Sequence, residues 1–298
     1  MALGTIPPEI WTEVFAFSCT DDGCTGRALS LVSRAAHLVS KPLKYQSIVV
    51  TGFHELLKLL AVLCELPPGE RRVKYLFVGG LDDSKDFEDP DRRAELQRRL
   101  DGDPNAVDIA EKTLGQILRL VAPSLVALHI HCTTISRPSL FPEIEFPLLA
   151  ELTLHGPFQS LLPTSLRPLS SLRRVQIHHL SYHPANFLQQ IVHTAPSLTH
   201  LRVPQGSFTP YAIQVALGIL QPVASDPEAV RLPENLKELV VELDTARCAD
   251  GSAGNIRANQ FLRKFRKIAD GDSRVRLVDG RSDWMGVDEA KREWLGEI

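Results

Sequence analysis

The sequence predicts an α/β protein, in which a small helical module precedes a solenoid of short parallel strands with outer helices. Two observations carry this prediction: a proline-initiated amphipathic helix near the start, and a six-residue apolar pattern that recurs through the middle of the chain. The 298 residues are enough for one extended domain and a small module. The apolar content of 44% and the charged content of 23% are typical of a globular protein that buries a core.

The first predicted element is a helix with a rigid entry, within residues 6–19, "IPPEIWTEVFAFSC". Pro7 and Pro8 fix the backbone of a first turn that needs no amide donors, and Glu9 lies near the positive end of the helix dipole. Apolar side chains at helical spacing then form one wide face: Ile10, Trp11, Val14, Phe15 and Phe17. A second apolar helical run follows at 29–39. Because so small a unit buries little by itself, we expect this face to dock, either onto the chain's own core or onto another protein.

Six hexamers with the pattern apolar-x-x-apolar-x-apolar organise the middle of the chain. They begin at Val73, Leu125, Leu149, Leu172, Leu198 and Leu236. The second to fifth starts are separated by 24, 23 and 26 residues, within the period of about 20–29 residues of leucine-rich repeats. Each hexamer predicts a short strand whose first, fourth and sixth residues point inward, and only stacked units bury a continuous core. The pattern therefore predicts an irregular leucine-rich-repeat solenoid.

Helical patterns lie between these strands and complete the units. Apolar residues at helical spacing predict helices over 107–122, 185–195, 211–224 and 256–270, and a last strand is predicted at 274–278. The last of these helices contains a basic segment at 261–270. We interpret this segment as part of an outer helix of the stack, with binding to membranes or nucleic acid as the alternative.

The predicted organisation has four parts: a helical module at 1–50, a linking helix at 51–72, the solenoid at 73–280 and a cap at 281–298. The cap contains Trp284 and Trp294, which are predicted to close the open end of the stack, because terminal repeats need a cover. Residues 79–105 have almost no apolar content and predict a charged surface loop. A calcium loop is the alternative, but the acidic spacing is wrong and no central glycine allows the turn.

The order "IPPEIW…VF…LSLVSR…Y" within residues 4–50 resembles an F-box. F-box modules are helical units of about this length that bind the Skp adaptor of cullin–RING ubiquitin ligases. An F-box followed by degenerate leucine-rich repeats is similar to the expanded F-box-like proteins of mushroom-forming fungi. The resemblance implies that the adaptor is contacted by Ile6, Pro7, Glu9, Ile10, Leu31, Val32 and Ser33.

The sequence departs from the F-box pattern at two places. Ala35 and Ala36 stand where the family usually has an aromatic pair, and Tyr45 replaces a common tryptophan. Relative to the family, both departures imply weaker packing beneath the adaptor surface.

The outward positions of the strands predict a face that binds a protein target. Because side chains alternate along a strand, the residue after each hexamer lies on the same side as the two variable positions. Following this rule gives a column of His131, His155 and His178, then Pro204, at a strand spacing of about 4.8 Å. The candidate target-binding residues are His129, His131, Glu151, Thr153, His155, Arg174, Gln176, His178, His200 and Arg202. A mixed polar face of this kind suits a protein partner. The alternative is a histidine ladder that binds a metal ion, but no carboxylate accompanies the histidines at the same level of the strands.

Sequence signals for catalysis are weak. The chain has no phosphate-binding glycine–lysine loop, no paired zinc-knuckle cysteines and no nucleophile elbow. Cys19 and Cys24 have no second pair nearby, so no zinc site is predicted. "GDS" at 271–273 resembles the start of a lipase motif, but it joins a predicted helix to a strand near the C-terminus and indicates a tight turn. A hydrolase that uses Ser273 is a third hypothesis; the prediction is no enzyme, no cofactor and no metal.

Charge and cysteine usage indicate the compartment and the class of partner. The formal charge of −3 gives no basic field for nucleic acid, and the apolar stretch from Leu56 is too short and too interrupted by lysine to span a bilayer. We therefore expect neither a nucleic-acid nor a membrane partner, and no signal peptide is apparent. Five scattered cysteines suggest reduced thiols in a cytoplasmic or nuclear protein, or one found in both compartments.

Besides the hydrolase hypothesis, these observations lead to one leading hypothesis and one alternative. The chain is predicted to be the substrate-recognition subunit of a cullin–RING (SCF-type) ubiquitin ligase, with the helical tip on a Skp-type adaptor and the repeat face on an unknown protein target. The alternative is a ligase-independent leucine-rich-repeat scaffold whose helical tip is a structural cap. The ligase would supply the chemistry, and this chain would supply proximity.

Overall fold

A computed structural model describes the chain over residues 6–80, 104–131, 144–156, 168–178, 186–204, 209–222, 230–243, 253–280 and 285–296. Over these ranges the protein is α/β, as the sequence predicts, with parallel strands and helices between them. The chain divides into two compact units. The first comprises 1–133, 146–149 and 286–298, and the second comprises 134–145 and 150–285.

The first unit begins with three helices and continues with three parallel strands. Its helices are α1 (Pro8–Ser18), α2 (Cys24–Val32), α3 (Arg34–Ser40), α4 (Phe53–Glu65), α5 (Pro104–Val121) and α9 (Val287–Leu295). Its strands are β1 (Ser47–Thr51), β2 (Tyr75–Gly79) and β3 (Ala127–His131). The strands lie in chain order, and Tyr75 of β2 is level with Ser47 on one side and Ala127 on the other.

The second unit contains five parallel strands in chain order. They are β4 (Glu151–His155), β5 (Arg174–His178), β6 (His200–Pro204), β7 (Glu238–Leu243) and β8 (Val275–Asp279). Its helices are α6 (Phe187–Thr194), α7 (Pro210–Ala216) and α8 (Ala253–Gly271). The predicted helices and the predicted last strand of this unit are therefore confirmed in kind, with shifted ends.

The strand register of the second unit confirms the hexamer pattern. Leu152, Val175 and Leu201 are the fourth residues of their hexamers, lie side by side across β4, β5 and β6, and are at most 4% exposed. The residues that follow them are Thr153, Gln176 and Arg202. The pattern predicts that these three are exposed, but they are half-buried. Side chains on adjacent parallel strands stand about 4.8 Å apart and shield one another, which a single-strand pattern does not include.

Strand β1 is an element that the hexamer pattern does not predict. It falls across the boundary between the predicted module at 1–50 and the linking helix at 51–72. The linking helix itself is confirmed as α4, whose buried residues Leu56, Leu59 and Leu63 recur at helical spacing. The sequence SIVVT of β1 alternates only weakly, so pairing with β2 rather than local pattern defines it as a strand.

Helix α7 is shorter than the prediction of 211–224. It ends at Ala216, and Gly218 follows with a φ of 79°. In this left-handed conformation the amide of Gly218 donates to the carbonyl of Val215 at 3.0 Å, and the amide of Ile219 donates to Gln214 at 2.8 Å. Glycine adopts positive φ without steric cost, so it ends the helix where the apolar periodicity continues.

The prediction that the C-terminal segment covers the open end of the stack is wrong for α9. This helix packs against β2 and β3 in the first unit, where the Trp294 ring lies 5.8 Å from the Phe77 ring and Ala290 is fully buried. The Phe77 ring on β2 supplies apolar surface for this contact. Trp284 and most of the predicted loop at 79–105 lie outside the described residues.

Candidate functional site

The inner face of the N-terminal helices holds a small apolar core. Phe15, Cys19, Ala36 and Leu43 are buried together, and Trp11, Ala16, Leu29 and Val39 pack against them. The rings of Trp11 and Phe15 lie 5.5 Å apart. The wide face predicted for α1 is therefore two faces, because Trp11 and Phe15 turn towards this core and the other apolar residues turn away.

The outer face of the same helices is apolar and exposed. We call six residues the tip surface: Ile6, Ile10, Val14, Phe17, Leu31 and Val32. Phe17 and Leu31 are each 85% exposed, Val32 is 72% exposed, and the other three lie between 43% and 48%. Ile10, Val14 and Phe17 follow one another at i, i+4 and i+7, so they share one side of α1. Pro7, Glu9 and Ser33, which complete the predicted adaptor-binding set, are exposed as well.

Ser33 has a structural role in addition to its exposure. Its backbone is extended, with φ −163° and ψ 164°, and it separates α2 from α3. Its hydroxyl accepts a hydrogen bond from the Ala36 amide at 3.1 Å and so caps α3. The cap sets the bend between the two helices, which leaves Leu31 and Val32 outside the core. Of the two alanines that depart from the F-box pattern, Ala36 is 3% exposed in the core and Ala35 is exposed.

Polar contacts fasten the helical tip to the strands of the first unit. The buried side-chain amide of Gln46 donates to the carbonyls of Ala16 at 2.7 Å and Cys19 at 3.2 Å. The hydroxyl of Ser47, at the start of β1, donates to the Asp21 carbonyl. These bonds hold the end of α1 by its backbone, on residues that do not belong to the tip surface.

Helix α9 adds an ion pair to this attachment. Lys291 Nζ lies 3.2 Å from Asp22 Oδ2, and both side chains are about one-third exposed or less. A hydrogen bond with Cys24, aided by the contact with Lys291, lowers the pKa of the Asp22 carboxyl. The tip surface thus stands on a module that is anchored from behind by β1 and α9.

The second unit carries the greater part of the predicted target-binding residues on one side of its strands. Glu151, Thr153, Arg174, Gln176, His200 and Arg202 line up by the register of β4, β5 and β6. An open groove of about 480 Å³ lies over this side. Its lining residues are Arg174, Val175, Gln176, His200, Leu201, Arg202, Glu238, Val240, Arg276 and Val278. The strand register therefore brings together residues that are 102 positions apart in sequence, from Arg174 to Arg276.

Ion pairs at the edges of this groove are exposed. Arg174 Nη1 lies 3.3 Å from Glu151 Oε1, with side chains 46% and 49% exposed. Arg276 Nη1 lies 3.6 Å from Glu238 Oε1, with side chains 69% and 36% exposed. Pairs of this kind contribute about 0–1 kcal/mol to stability, so they leave the guanidinium groups available for other partners.

The histidine column of the second unit is buried. The rings of His155 and His178 stack at a centroid distance of 4.0 Å and an interplanar angle of 2°, as adjacent strands require. Their residues are 3% and 5% exposed. His155 and His178 therefore stack as neighbours in the predicted column, but both are buried and do not form the recognition surface that the sequence predicts.

Glu242 is the residue of this column that sequence reasoning missed. Its Oε1 accepts from His178 Nδ1 at 2.9 Å and from Arg202 Nε at 2.7 Å. Burial opposes ionisation of this carboxyl, but the hydrogen bond and charge of His178 and the charge of Arg202 outweigh it and lower the pKa of Glu242. Glu242 directly follows the hexamer that starts at Leu236, so extending the column by one more repeat would have found it.

The histidines of the first unit are also buried. His129 is 3% exposed and its ring lies 4.7 Å from Phe77; His131 is 1% exposed. Phe77 and His129 are level in the register of β2 and β3, on the side that α9 covers. These two residues are therefore unavailable to a protein target, because the chain's own helix occupies the face on which the sequence places them.

The remaining sequence hypotheses have simple structural outcomes. Ser273 is exposed in the turn between α8 and β8, where the Asp272 carboxylate accepts from the amide and guanidinium of Arg274. The segment at 261–270 is confirmed as a helix that buries Leu262, Phe265 and Ile268 and exposes its basic side chains. In the part of the chain that the structure describes, no cluster of three or more potential metal ligands is present, and no helix has the length and hydropathy of a membrane span.

Comparison with known protein families, with curated proteins and with solved structures finds no match to this chain.

Proposed function

We propose that this protein is the substrate-recognition subunit of a cullin–RING (SCF-type) ubiquitin ligase, whose tip surface docks on a Skp-type adaptor. The observation that carries the proposal is the outward exposure of the tip surface. Three of its six apolar side chains are more than 70% exposed, although the same helices bury a separate core behind them. An apolar group of this kind, on an anchored module, is the usual mark of a protein-binding site.

The energetics of docking follow from the composition of the tip surface. Complete burial of a valine, leucine, isoleucine or phenylalanine side chain is worth about 1.5–3 kcal/mol. Phe17 and Leu31 offer the largest exposed fractions and are the expected anchors, since a few buried apolar residues usually supply most of the binding energy. The chain itself would carry out no chemistry and would hold a target beside the ligase.

The alternative, a ligase-independent scaffold with a structural cap, is favoured by one observation. Gln46, Ser47 and Lys291 fasten the tip to the first unit as a cap would be fastened. These contacts use the back of the module, however, and leave the tip surface without a role. The adaptor proposal explains both the fastening and the exposure.

The test is binding of the purified chain to a Skp-type adaptor, measured by calorimetry and by co-purification. The variant Ile10→Asp with Val32→Asp places two carboxylates in the docking face, each costing several kcal/mol if it is desolvated without a partner. We expect loss of adaptor binding with an unchanged melting temperature, because both positions are exposed in the free chain.

The matched control is Ile219→Asp with Leu220→Asp in the second unit. These residues are 45% and 40% exposed and receive the same change in charge. We expect the control to bind the adaptor as the wild type does. Binding by the tip variant at wild-type affinity would refute the proposal, and a wild-type chain that binds no adaptor would favour the scaffold.

A further inference from the structure

We propose that the groove of the second unit binds an extended acidic peptide, in which carboxylates flank an apolar side chain. This inference rests on the proposed function, because it assigns the chemical class of the target segment that the ligase subunit would recognise. It adds Glu238, Val240, Arg276 and Val278 to the target-binding residues that the sequence suggests.

The first argument is the row of side chains that the register creates. Arg202, Val240 and Arg276 are level on β6, β7 and β8, so a valine stands between two arginines at one strand spacing on each side. Val278 lies two residues beyond Arg276 on the same side of β8 and extends the apolar strip. An apolar side chain of a peptide would contact the valines while its neighbouring carboxylates reach the guanidinium groups.

The second argument is charge. The ten lining residues include three arginines and one glutamate, and the neighbouring Glu151 and Glu242 pair with Arg174 and Arg202, so each guanidinium faces one carboxylate. Arginine is suited to this role because its planar guanidinium donates two parallel hydrogen bonds to a carboxylate. The exposed guanidinium groups of Arg174 and Arg276 are therefore the places where the groove can bind a carboxylate.

The third argument is that the three arginines differ in exposure and in how firmly their ion pairs hold them. Arg202 is held by Glu242 and only one-third exposed, so it forms a fixed part of the floor. Arg174 and Arg276 are 46% and 69% exposed, and their ion pairs with Glu151 and Glu238 measure 3.3 Å and 3.6 Å. An exposed pair costs little to exchange, so a peptide carboxylate can replace Glu151 or Glu238 as the partner.

The lining favours a peptide over a nucleic acid. None of the ten residues is aromatic except for the imidazole of His200, whereas binding of single strands uses aromatic platforms for stacking. Valine beside arginine matches a peptide that alternates acidic and apolar residues.

The experiment is fluorescence anisotropy of the full chain with a short labelled peptide in which glutamates flank valine. The matched probe carries glutamine in place of each glutamate, and a labelled oligouridylate tests for nucleic acid. The variant is Arg174→Gln with Arg276→Gln. The control is Arg263→Gln with Arg266→Gln, which removes the same charge from exposed positions of α8.

We expect the wild type and the α8 control to bind the acidic peptide, with affinity that falls as salt rises. The groove variant should lose roughly tenfold or more in affinity, and the glutamine probe should bind no protein. Equal losses in both variants would show diffuse charge attraction and overturn the proposal. Failure of the wild type to bind the peptide, or equal binding of oligouridylate, would overturn it as well.

The result is separate from the adaptor test. Peptide binding is measured without the adaptor, and the groove variant keeps an intact tip surface. Failure of the wild-type chain to bind the peptide, with normal adaptor binding, would overturn only the proposal on the groove. Peptide binding by a chain that ignores the adaptor would support the groove and refute the ligase proposal.

Discussion

Similar repeats form the strand faces of the two units, but one face is covered and the other is open. In the first unit, α9 covers the side of β2 and β3 that carries Phe77 and His129, and both are at most 3% exposed. In the second unit, the corresponding side of the strands lines an open groove with half-buried or exposed arginines. The difference teaches that the repeat decides which side chains share a face, whereas a segment far away in sequence decides whether that face meets solvent.

The largest expected effect on stability comes from a substitution in the covered face of the first unit. Phe77→Ala removes a fully buried ring that contacts His129 and Trp294, and a change of this type costs about 3–5 kcal/mol. Val240→Ala, at a half-buried position of the open face, is the matched control and should cost about 1 kcal/mol or less. Urea unfolding of both variants measures the two values. Similar losses would show that α9 does not cover the first face.

A second prediction sharpens the comparison within the second unit. Leu201 is 1% exposed at the fourth position of its hexamer, and Leu201→Ala should cost about 2–5 kcal/mol. Thr199→Ala is not a suitable control, because the hydroxyl of the half-buried Thr199 donates a hydrogen bond to the Arg173 carbonyl. Gln176→Ala on the groove side should change the free energy of unfolding by about 0.5–1 kcal/mol at most. Equal effects at the two positions would mean that the strand register is misassigned.

The smallest expected effect concerns Glu242, a half-buried carboxylate that pairs with Arg202 of the groove. Glu242→Gln removes the charge that pairs with His178 and Arg202 and should cost about 1–3 kcal/mol at pH 7. Because the pKa of Glu242 is lowered in the folded protein, its contribution is complete above the ordinary carboxyl pKa and is lost as pH falls through the folded value. The difference between wild type and variant should therefore shrink below about pH 4.

Chemical denaturation across pH measures this difference directly. The wild type alone is a poor probe, because Asp22 and Asp272 also have lowered pKa values and lose stability in the same direction. Subtracting the variant isolates Glu242. A difference that stays constant between pH 7 and pH 3 would contradict the role assigned to its charge.

Much of the fold was predictable because its signals are local. The hexamers place Leu152, Val175 and Leu201 in the core, and apolar spacing locates α5, α6 and α8 to within a few residues. Helix α4 ends at Glu65, seven residues before the predicted end of the linking helix at 72. The seven residues predicted to contact an adaptor are all exposed, and their contact with an adaptor stays a prediction. β1 was missed because its pairing with β2, rather than its own sequence, makes it a strand.

The candidate site was less predictable than the fold. The sequence placed His129, His131, His155 and His178 on an outward side, and the structure buries all four. It could not show that Glu242 reaches His178 across Pro204 of the intervening strand, because that contact depends on side-chain length and on the small residue between them. The arginine–valine–arginine row of β6, β7 and β8 likewise exists only through register.

The amino-acid sequence by itself determined the α/β class, the inward positions of the repeats and the apolar outer side of α1, since each depends on periodicity within a few residues. Tertiary structure alone decided that α9 lies on β2 and β3, that Trp11 and Phe15 leave the outer side of α1 for a core, and that the second unit keeps an open groove. The physical reason is that burial requires contact between two surfaces. Distant segments compete for the same apolar area, and this competition decides which of them make contact.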